Sequence, residues 1–376
     1  MGVQVHTSEY QVITYAIRTP LTKARKGFLK DTALEGLLSP ILQVRFSIQI
    51  AIRLFLKCFA KGVREKSGID PALVEEIVVG NVLHKDVSWI LRASAMAAGF
   101  PPSTATSTVS RWCSSGLLAV QAIANQITAG SIDIGIAVGA ESMSTTPDKG
   151  SPPLPEALLK DSDSRDIREP MGWTSENVAR DFNISRDTQD EFAAASQQKA
   201  ERAKKEGWTA TEILPMSVEW KNPKTNEAEH VLVDEDDGVR YGTTSQGLSK
   251  IRGAFPQWPP ATTTGGNASQ ITDGAAALLL MRRDVAERLG QPILGKYVAS
   301  TVVGLAPRIM GIGPALAIPK LLGKLGIAQE DVDIFEINEA FASMVRSPSP
   351  INDFWRVSDT LLTIISACLL CTETWA

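Results

Sequence analysis

The stretch Thr104-Ala105-Thr106-Ser107-Thr108-Val109-Ser110-Arg111-Trp112-Cys113-Ser114-Ser115-Gly116-Leu117 changes character within a few residues. Thr104 to Ser110, rich in Thr, Val and Ser, suits an extended strand. From Ser115 onward, Leu117, Val120, Ile123 and Ile127 recur at helical spacing, and Gly130 ends the pattern. Ile132 to Val138 reads as a strand again, with small residues that let it pack closely on its neighbours. Strand, tight turn, helix and strand make one α/β unit, and Cys113 sits at its turn.

The same alternation extends in both directions. On the amino-terminal side, Glu9 to Ile17 reads as a strand and Leu34 to about Lys66 as a helical pattern that Pro40 interrupts. Gly68-Ile69-Asp70-Pro71 stops that pattern, and Val74 to Val79 is a buried strand. On the carboxyl side the composition shifts at Ser144. Thr145 to Asp166 is rich in Pro, Ser and charge, and two helices follow, Arg168 to about Phe182 and Asp187 to Glu206, the second with Ser185 as N-cap. The acidic run Asp234 to Asp237 lies beyond them, so residues 145–257 read as a loop or cap domain inserted into a sheet domain. Strand character resumes at Thr272, with Ala275 to Met281 a strand and Asp284 opening a short helix. Alternating strands and helices predict an α/β layered fold.

A short internal repeat suggests two copies of one α/β unit. Ser67-Gly68-Ile69-Asp70 leads into Val74 to Asn81, and Leu325-Gly326-Ile327-Ala328 leads into Val332 to Glu339 in the same register. The second copy should therefore carry a strand at Ile334 to Ile337.

Composition excludes several classes. The chain has 376 residues, 44% hydrophobic and 21% charged, enough for a true core and unlike coiled-coil or disordered chains. A net charge of -4 argues against a nucleic-acid binder held by bulk phosphate attraction. Four cysteines without a visible secretory leader indicate a reducing compartment rather than a disulfide framework. Ile41 to Ala60 is broken by Arg45, Arg53 and Lys57, and Leu361 to Cys371 is short, so no integral membrane span is expected. Thr374-Trp375-Ala376 is not a peroxisomal address.

Chemistry points to Cys113. A thiol between a strand and the first turn of a helix faces backbone amides and the positive end of the helix dipole, both of which favour thiolate. The same amides can hold an oxyanion, and Gly116 lets a bulky ligand approach the backbone. Position alone also fits a small buried apolar residue. Cys368 and Cys371 lack the further ligands a zinc site needs, so no metal is expected. His84 and His230 read as surface or structural residues. The basic residues Arg45, Arg53, Lys57 and Lys61 fit a membrane surface less well than a buried segment.

The residues around Cys113 resemble a known family. Arg111 to Val120 resembles the nucleophile motif of the thiolases, specifically the peroxisomal-type degradative 3-ketoacyl-CoA thiolases. Gly139-Ala140-Glu141-Ser142-Met143-Ser144 is similar to the strand and turn that follow, and Met171-Gly172-Trp173-Thr174-Ser175-Glu176-Asn177 to the loop-domain signature. Thr264-Gly265-Gly266-Asn267-Ala268-Ser269-Gln270 with Asp273-Gly274-Ala275-Ala276 resembles the segment lying along bound CoA, and Asn338-Glu339-Ala340-Phe341-Ala342 the Asn-Glu-Ala-Phe motif. The likeness runs from about Glu9 to Ser343.

That resemblance implies a layered α/β/α/β/α fold of two similar halves, the second incomplete here. The first half would be residues 1–144 and 258–290, the loop domain 145–257, and a partial second half 291–344. It implies Cys113 as nucleophile and acyl-thioester carrier, Asn338 as holder of an oxyanion-hole water, and Ser269, Met171 and Gly116 in substrate and CoA binding. CoA would be a substrate and no cofactor is required. The partners would be 3-ketoacyl-CoA and CoA, the assembly a homodimer, and the location peroxisomal, with cytoplasmic or mitochondrial as alternatives.

Two departures qualify the expected activity. The family carries a Gly-His-Pro segment after the Asn-Glu-Ala-Phe motif and a second Cys in a Gly-rich loop; no His follows His230, and Cys368 and Cys371 have other surroundings. Residues 44–62 and the tail from about 345 are unlike the family, and each begins Val-Arg, as translated intervening sequence would. The expectation is a thiolase of fatty-acid β-oxidation with impaired turnover. The alternative is a non-catalytic relative that binds acyl-CoA or a thiolase subunit.

Overall fold

The computed structural model describes residues 10–43 and 68–345. The atypical segment 44–62, the tail beyond 345 and the thiols of Cys58, Cys368 and Cys371 lie outside them.

A seven-stranded mixed sheet forms the centre. Its strands are β1 (Gln11–Arg18), β2 (Thr22–Lys23), β3 (Glu76–Gly80), β4 (Ala105–Val109), β5 (Ile134–Ser142) and β8 (Thr272–Arg282), with β9 (Gly295–Lys296) at one edge. A separate hairpin pairs β6 (Met216–Lys221) with β7 (Ala228–Val233). The order is β4-β3-β5-β8-β1-β9, with β2 on the end of β8. β3 runs parallel to β4 and β5, while β5, β1 and β2 meet β8 antiparallel.

Alternation along the central strands divides the core in two. Ile77 and Val79 of β3 and Ile136 and Val138 of β5 face helices α1 (Leu34–Gln43) and α2 (Val87–Ala97). Val78, Ala137, Leu278 and Leu280 face α3 (Ser115–Thr128) on the other side. Because both faces are covered, β5 is buried from end to end. Three layers result: α1 and α2, the sheet, and α3.

The block after β5 holds helices α4 (Ser162–Asp166), α5 (Met171–Asp181), α6 (Arg186–Lys205) and α7 (Ser245–Ser249), besides the hairpin. Ser185 caps α6 by accepting from the Thr188 amide, the role its sequence position predicts. The block is fastened to β1 through Arg18. Its backbone exchanges hydrogen bonds with Glu212 and Leu214, and its buried guanidinium holds Glu212 at 2.8 Å and both oxygens of Asp236 at 2.7 and 2.8 Å.

Three expectations need correction. Leu117 is 41% exposed rather than on the buried stripe of α3. Two turns before Ile123 the in-line position is Gly116, which is buried, and Leu117 points away from the sheet. Pro40 lies inside α1 without ending it before Gln43. The strand expected at Ile334 to Ile337 does not form: residues 332–339 join no ladder among the described residues. A strand exists only through its partners; after α8 (Arg283–Arg288) and β9, the described elements of this part of the chain are helical, among them α9 (Gly313–Leu325) and α10 (Ala342–Val345), so no further strand there offers a ladder.

Candidate active site

β3 and β4 end side by side, and β5 runs on to Ser142 beside them. Gly80 pairs with Val109 on one side and Gly139 on the other, so one rim of the sheet carries the carboxyl ends of three parallel strands. In α/β sheets that rim is where ligands bind. Cys113 stands on it, in the four residues between β4 and the Ser114 N-cap of α3.

The turn is tight and strained. Trp112 has a φ of 43°, a left-handed conformation that a bulky side chain adopts only when its surroundings impose it. Here Ser115 imposes it: its hydroxyl accepts the Arg111 amide at 2.8 Å and donates to the Trp112 carbonyl at 2.6 Å. Ser114 adds a hydroxyl bond to the Arg111 carbonyl. Cys113 is half-buried and in no disulfide, one residue before the Ser114 N-cap of a fourteen-residue helix whose first turn carries the positive end of its dipole. Gly116 is buried under the end of β3, because Gly80 lacks a side chain that would strike its amide.

A buried carboxyl supports this rim from below. Glu141 accepts from Asn81 Nδ2 and from the Val82 amide, each at 3.0 Å, and so ties the loop after β3 to the end of β5. Burial pushes its pKa up to about 7, although those hydrogen bonds pull the other way. Asp273, also raised by burial, to about 6, holds the amide and hydroxyl of Ser144 where the chain leaves β5.

The remaining predicted residues gather elsewhere. A cavity of about 370 Å³ opens between α6, residues 236–240 and residues 266–272, and Ser269 and Asn338 both line it with Phe192, Ser196 and Arg240. Both are exposed to it, and Glu339 bonds Ser196 beside them. Met171 at the start of α5 packs instead with Ala268, Met310, Ala340, Phe341 and Met344. The structure thus joins Ser269 to Asn338 and Met171 to the Asn-Glu-Ala-Phe segment, while Cys113 lies outside the cavity lining. His84 sits in the loop after β3, where its Nδ1 accepts the Asp86 amide at 3.2 Å, and His230 lies on β7. No group of three metal-ligating side chains occurs among the described residues, and no helix there is long and apolar enough to cross a membrane.

Sequence reasoning named Ser175 and Glu176 only as part of the stretch 171–177 and gave them no role of their own. Glu176 accepts four hydrogen bonds from Thr262 and Thr263, and Ser175 bonds both Thr263 and Ser343. Their signal was faint: a polar pair in the middle of a helix whose neighbours Val178 and Ala179 are core.

Comparison with known proteins decides the family. The sequence matches the profile described as "Thiolase, N-terminal domain" over residues 11–284 and that described as "Thiolase, C-terminal domain" over residues 291–349. The chain belongs to the thiolase family. This thiolase is 44% identical over 335 residues to the peroxisomal 3-ketoacyl-CoA thiolase B of Candida tropicalis, which covers 88% of the chain and 76% of that relative. It is 44% identical over 334 residues to the human peroxisomal 3-ketoacyl-CoA thiolase, covering 88% and 74%. The dimeric peroxisomal thiolase of Saccharomyces cerevisiae superposes with a TM-score of 0.79 at 39% identity, covering 98% of this chain and 88% of that one. A second structure of the yeast enzyme, described as five-layered and built from two core domains of identical topology, gives 0.67 at 33% identity, covering 96% and 84%. The layered α/β fold of this thiolase is therefore that of its relatives.

Proposed function

We propose that this chain is a 3-ketoacyl-CoA thiolase of peroxisomal β-oxidation, with Cys113 as its nucleophile. The observation that carries the reading is the strained turn at Trp112, which sets Cys113 between β4 and the head of α3 on the carboxyl rim of the sheet. The Cys113 thiolate attacks C3 of the 3-ketoacyl chain, and the resulting oxyanion faces helix-head amides. The C2–C3 bond then breaks, leaving an acyl-thioester on Cys113 and an acetyl-CoA enolate that takes a proton at C2. The thiol of a second CoA attacks the thioester, gives up its proton and releases acyl-CoA shortened by two carbons, regenerating Cys113. Ser269 contacts the pantetheine arm, Gly116 leaves room for the thioester, Met171 packs beside the acyl-CoA, and Asn338 holds a water that stabilises the enolate.

The decisive experiment incubates the chain with a 3-ketoacyl-CoA and maps the acyl adduct by peptide mass spectrometry. Acylation on Cys113, absent in Cys113→Ala, is the expected result; an adduct on Cys58, or full activity of Cys113→Ala, ends the reading. Turnover by these 376 residues should be slow, since no histidine follows His230 to take the thiol proton. A missing general base lowers rates by roughly a hundred- to ten-thousand-fold.

A second reading, a non-catalytic acyl-CoA-binding relative, is favoured by the placement of Cys113 outside the cavity that holds Ser269 and Asn338. Acyl-CoA binding without any Cys113 adduct would select it. A homodimer suits either reading. β4 is an edge strand, and Trp89 and Trp112 are 79% and 70% exposed, as expected of residues that a second copy covers. Light scattering should give twice the mass of the chain, and Trp89→Lys should halve it.

A further inference from the structure

Asn267 is a buried side chain whose hydrogen-bonding capacity is almost wholly used. Its Oδ1 accepts the Thr264 amide at 2.7 Å, and its Nδ2 donates to Asp190 Oδ1 at 2.9 Å and to the Thr262 carbonyl at 3.1 Å. These partners fix the amide's orientation, because two acceptors lie on one side and a donor on the other. Asp190 is itself held, through its other oxygen, by Arg186 Nε at 2.7 Å. The Arg186 guanidinium continues to the carbonyls of Leu248 and Ile251, both at 2.8 Å. A charged relay thus runs from the cap helices into a single amide.

What that amide holds is the approach of two motifs. The Asn267 carbonyl accepts the Ala342 amide at 3.0 Å, Ala268 bridges Phe341 antiparallel, and the Ser269 amide donates to the Ala340 carbonyl at 3.0 Å. This short pairing is what brings Ser269 and Asn338 to the wall of one cavity. With only two backbone hydrogen bonds and one bridge, its register depends on what holds each side: the Ala340 side is anchored by the packing of Phe341 and Met344 and by Ser343 on Ser175, and the Ser269 side needs an anchor of its own. The Asn267 side chain supplies the missing constraint by locking the backbone from Thr262 to Asn267 against α6.

We propose that Asn267 is a positioning residue, oriented by Asp190 and Arg186, that sets the register of Ser269 against Ala340 and thereby the geometry of the CoA-binding wall. The inference rests on the proposed role of Ser269 in CoA binding for its functional consequence, but not for the register itself.

The test uses the full chain with Asn267→Asp, Asp190→Asn and the double variant. Asn267→Asp sets two carboxylates against each other and leaves the Thr262 carbonyl without its donor. Asp190→Asn forces a donor against a donor, at either Asn267 or Arg186. In the double variant the new amide at 190 donates to the new carboxylate at 267 while its oxygen still accepts from Arg186. Two measurements are made: hydrogen exchange of peptides spanning 266–272 and 340–345, and the affinity for CoA by calorimetry. Each single variant should speed exchange in both peptides and weaken CoA binding by about tenfold, with β5 peptides unchanged, and the double variant should recover part of both, short of wild type because the Thr262 carbonyl still lacks its donor. Rescue is the outcome that a merely structural role would not produce. Unchanged exchange in both single variants, or a double variant no better than Asn267→Asp, overturns the proposal. If Asn267→Asp fails to fold, Asp190→Asn decides by the same two measurements. A wild-type chain that binds no CoA defeats the functional reading instead, and the exchange arms then decide the register by themselves.

Discussion

Gly80, the last residue of β3, lies so close to Ser115 that a Cβ on it would stand 2.2 Å from the Ser115 carbonyl oxygen and 2.6 Å from the Gly116 amide. The obstructing atoms are backbone at the head of α3, so neither can swing aside. Gly80→Ala must therefore push the helix head away from the sheet, and Cys113 with it. Overpacking of this kind costs about 1–3 kcal/mol. The expected outcome is a lowered denaturation midpoint together with at least tenfold slower alkylation of Cys113 by iodoacetamide. Wild-type alkylation in a folded Gly80→Ala chain would show that the helix head does not control the thiol.

Ser115 should matter for a different reason. Its hydroxyl is the strut that keeps Trp112 in the left-handed region, bonded on one side to the Arg111 amide and on the other to the Trp112 carbonyl. Ser115→Ala removes the strut: the partly buried Arg111 amide must find another partner, while the Trp112 carbonyl keeps only the Ser115 amide, a loss of about 1 kcal/mol. With the strain released, the turn should open, slowing thioester formation at Cys113 more than it weakens binding of CoA. Equal losses in both would assign Ser115 to folding alone.

The clasp at Arg18 should govern stability rather than chemistry. Its guanidinium is 1% exposed and neutralises Glu212 and Asp236 at the junction of β1 with the cap block. Arg18→Met leaves Glu212 buried without a counter-charge, and breaking such a pair costs about 3–5 kcal/mol. Adding Glu212→Gln should recover part of that loss, because the stranded charge goes with it. Urea unfolding of the single and double variants measures both effects; a double variant less stable than Arg18→Met would contradict the account.

The unit around Cys113 was legible because its signals are local. Thr and Val before the turn, Val120, Ile123 and Ile127 after it, and the small-residue strand into Val138 each obey one periodicity, and both faces of the sheet are covered. The helix Val87–Ala97 was missed although Ile90, Leu91, Ser94 and Ala95 repeat at helical spacing, because Trp89 and Met96 blur the stripe by standing out into solvent. The hairpin β6–β7 was missed too, since β7 buries only Val233 and so shows no apolar alternation. At the candidate site, position singles out Cys113, whereas Ser269 and Asn338 are reached only by resemblance. Asn267, Asp190 and Glu176 were invisible as a group: a polar residue announces burial only through partners that lie far off in sequence. The repeat at 332–339 misled for the opposite reason, because its local pattern fits a strand whose ladder partners are not among the described residues.

Finally, stability should fall as pH rises through neutrality, and Glu141 should dominate the change. In the folded chain its pKa is raised by burial to about 7, against an ordinary 4.5, and that of Asp273 to about 6 against 3.8. Between those limits the folded protein keeps protons that the unfolded chain has released. The unfolded state then binds fewer protons than the native one, so the free energy of unfolding decreases with pH. The stabilisation is complete below the ordinary pKa values and is lost as pH passes through about 6 and then about 7. Carboxyls held below their usual range, such as Asp181 with Arg308, act oppositely, but only at pH below about 4. Burial also raises Glu212, Asp237 and Glu339, which adds to the trend rather than opposing it. From Glu141 alone the loss should be roughly 3 kcal/mol between pH 5 and 8. Glu141→Gln removes the titration but keeps an oxygen for the Val82 amide, at the expense of a donor facing the Asn81 amide. Urea denaturation at pH 5, 6, 7 and 8 should therefore find the variant less stable than wild type at pH 5 and flatter across the series. Parallel slopes for the two chains would mean that Glu141 is ionised throughout, and that the loop after β3 is held by a carboxylate rather than by a carboxylic acid.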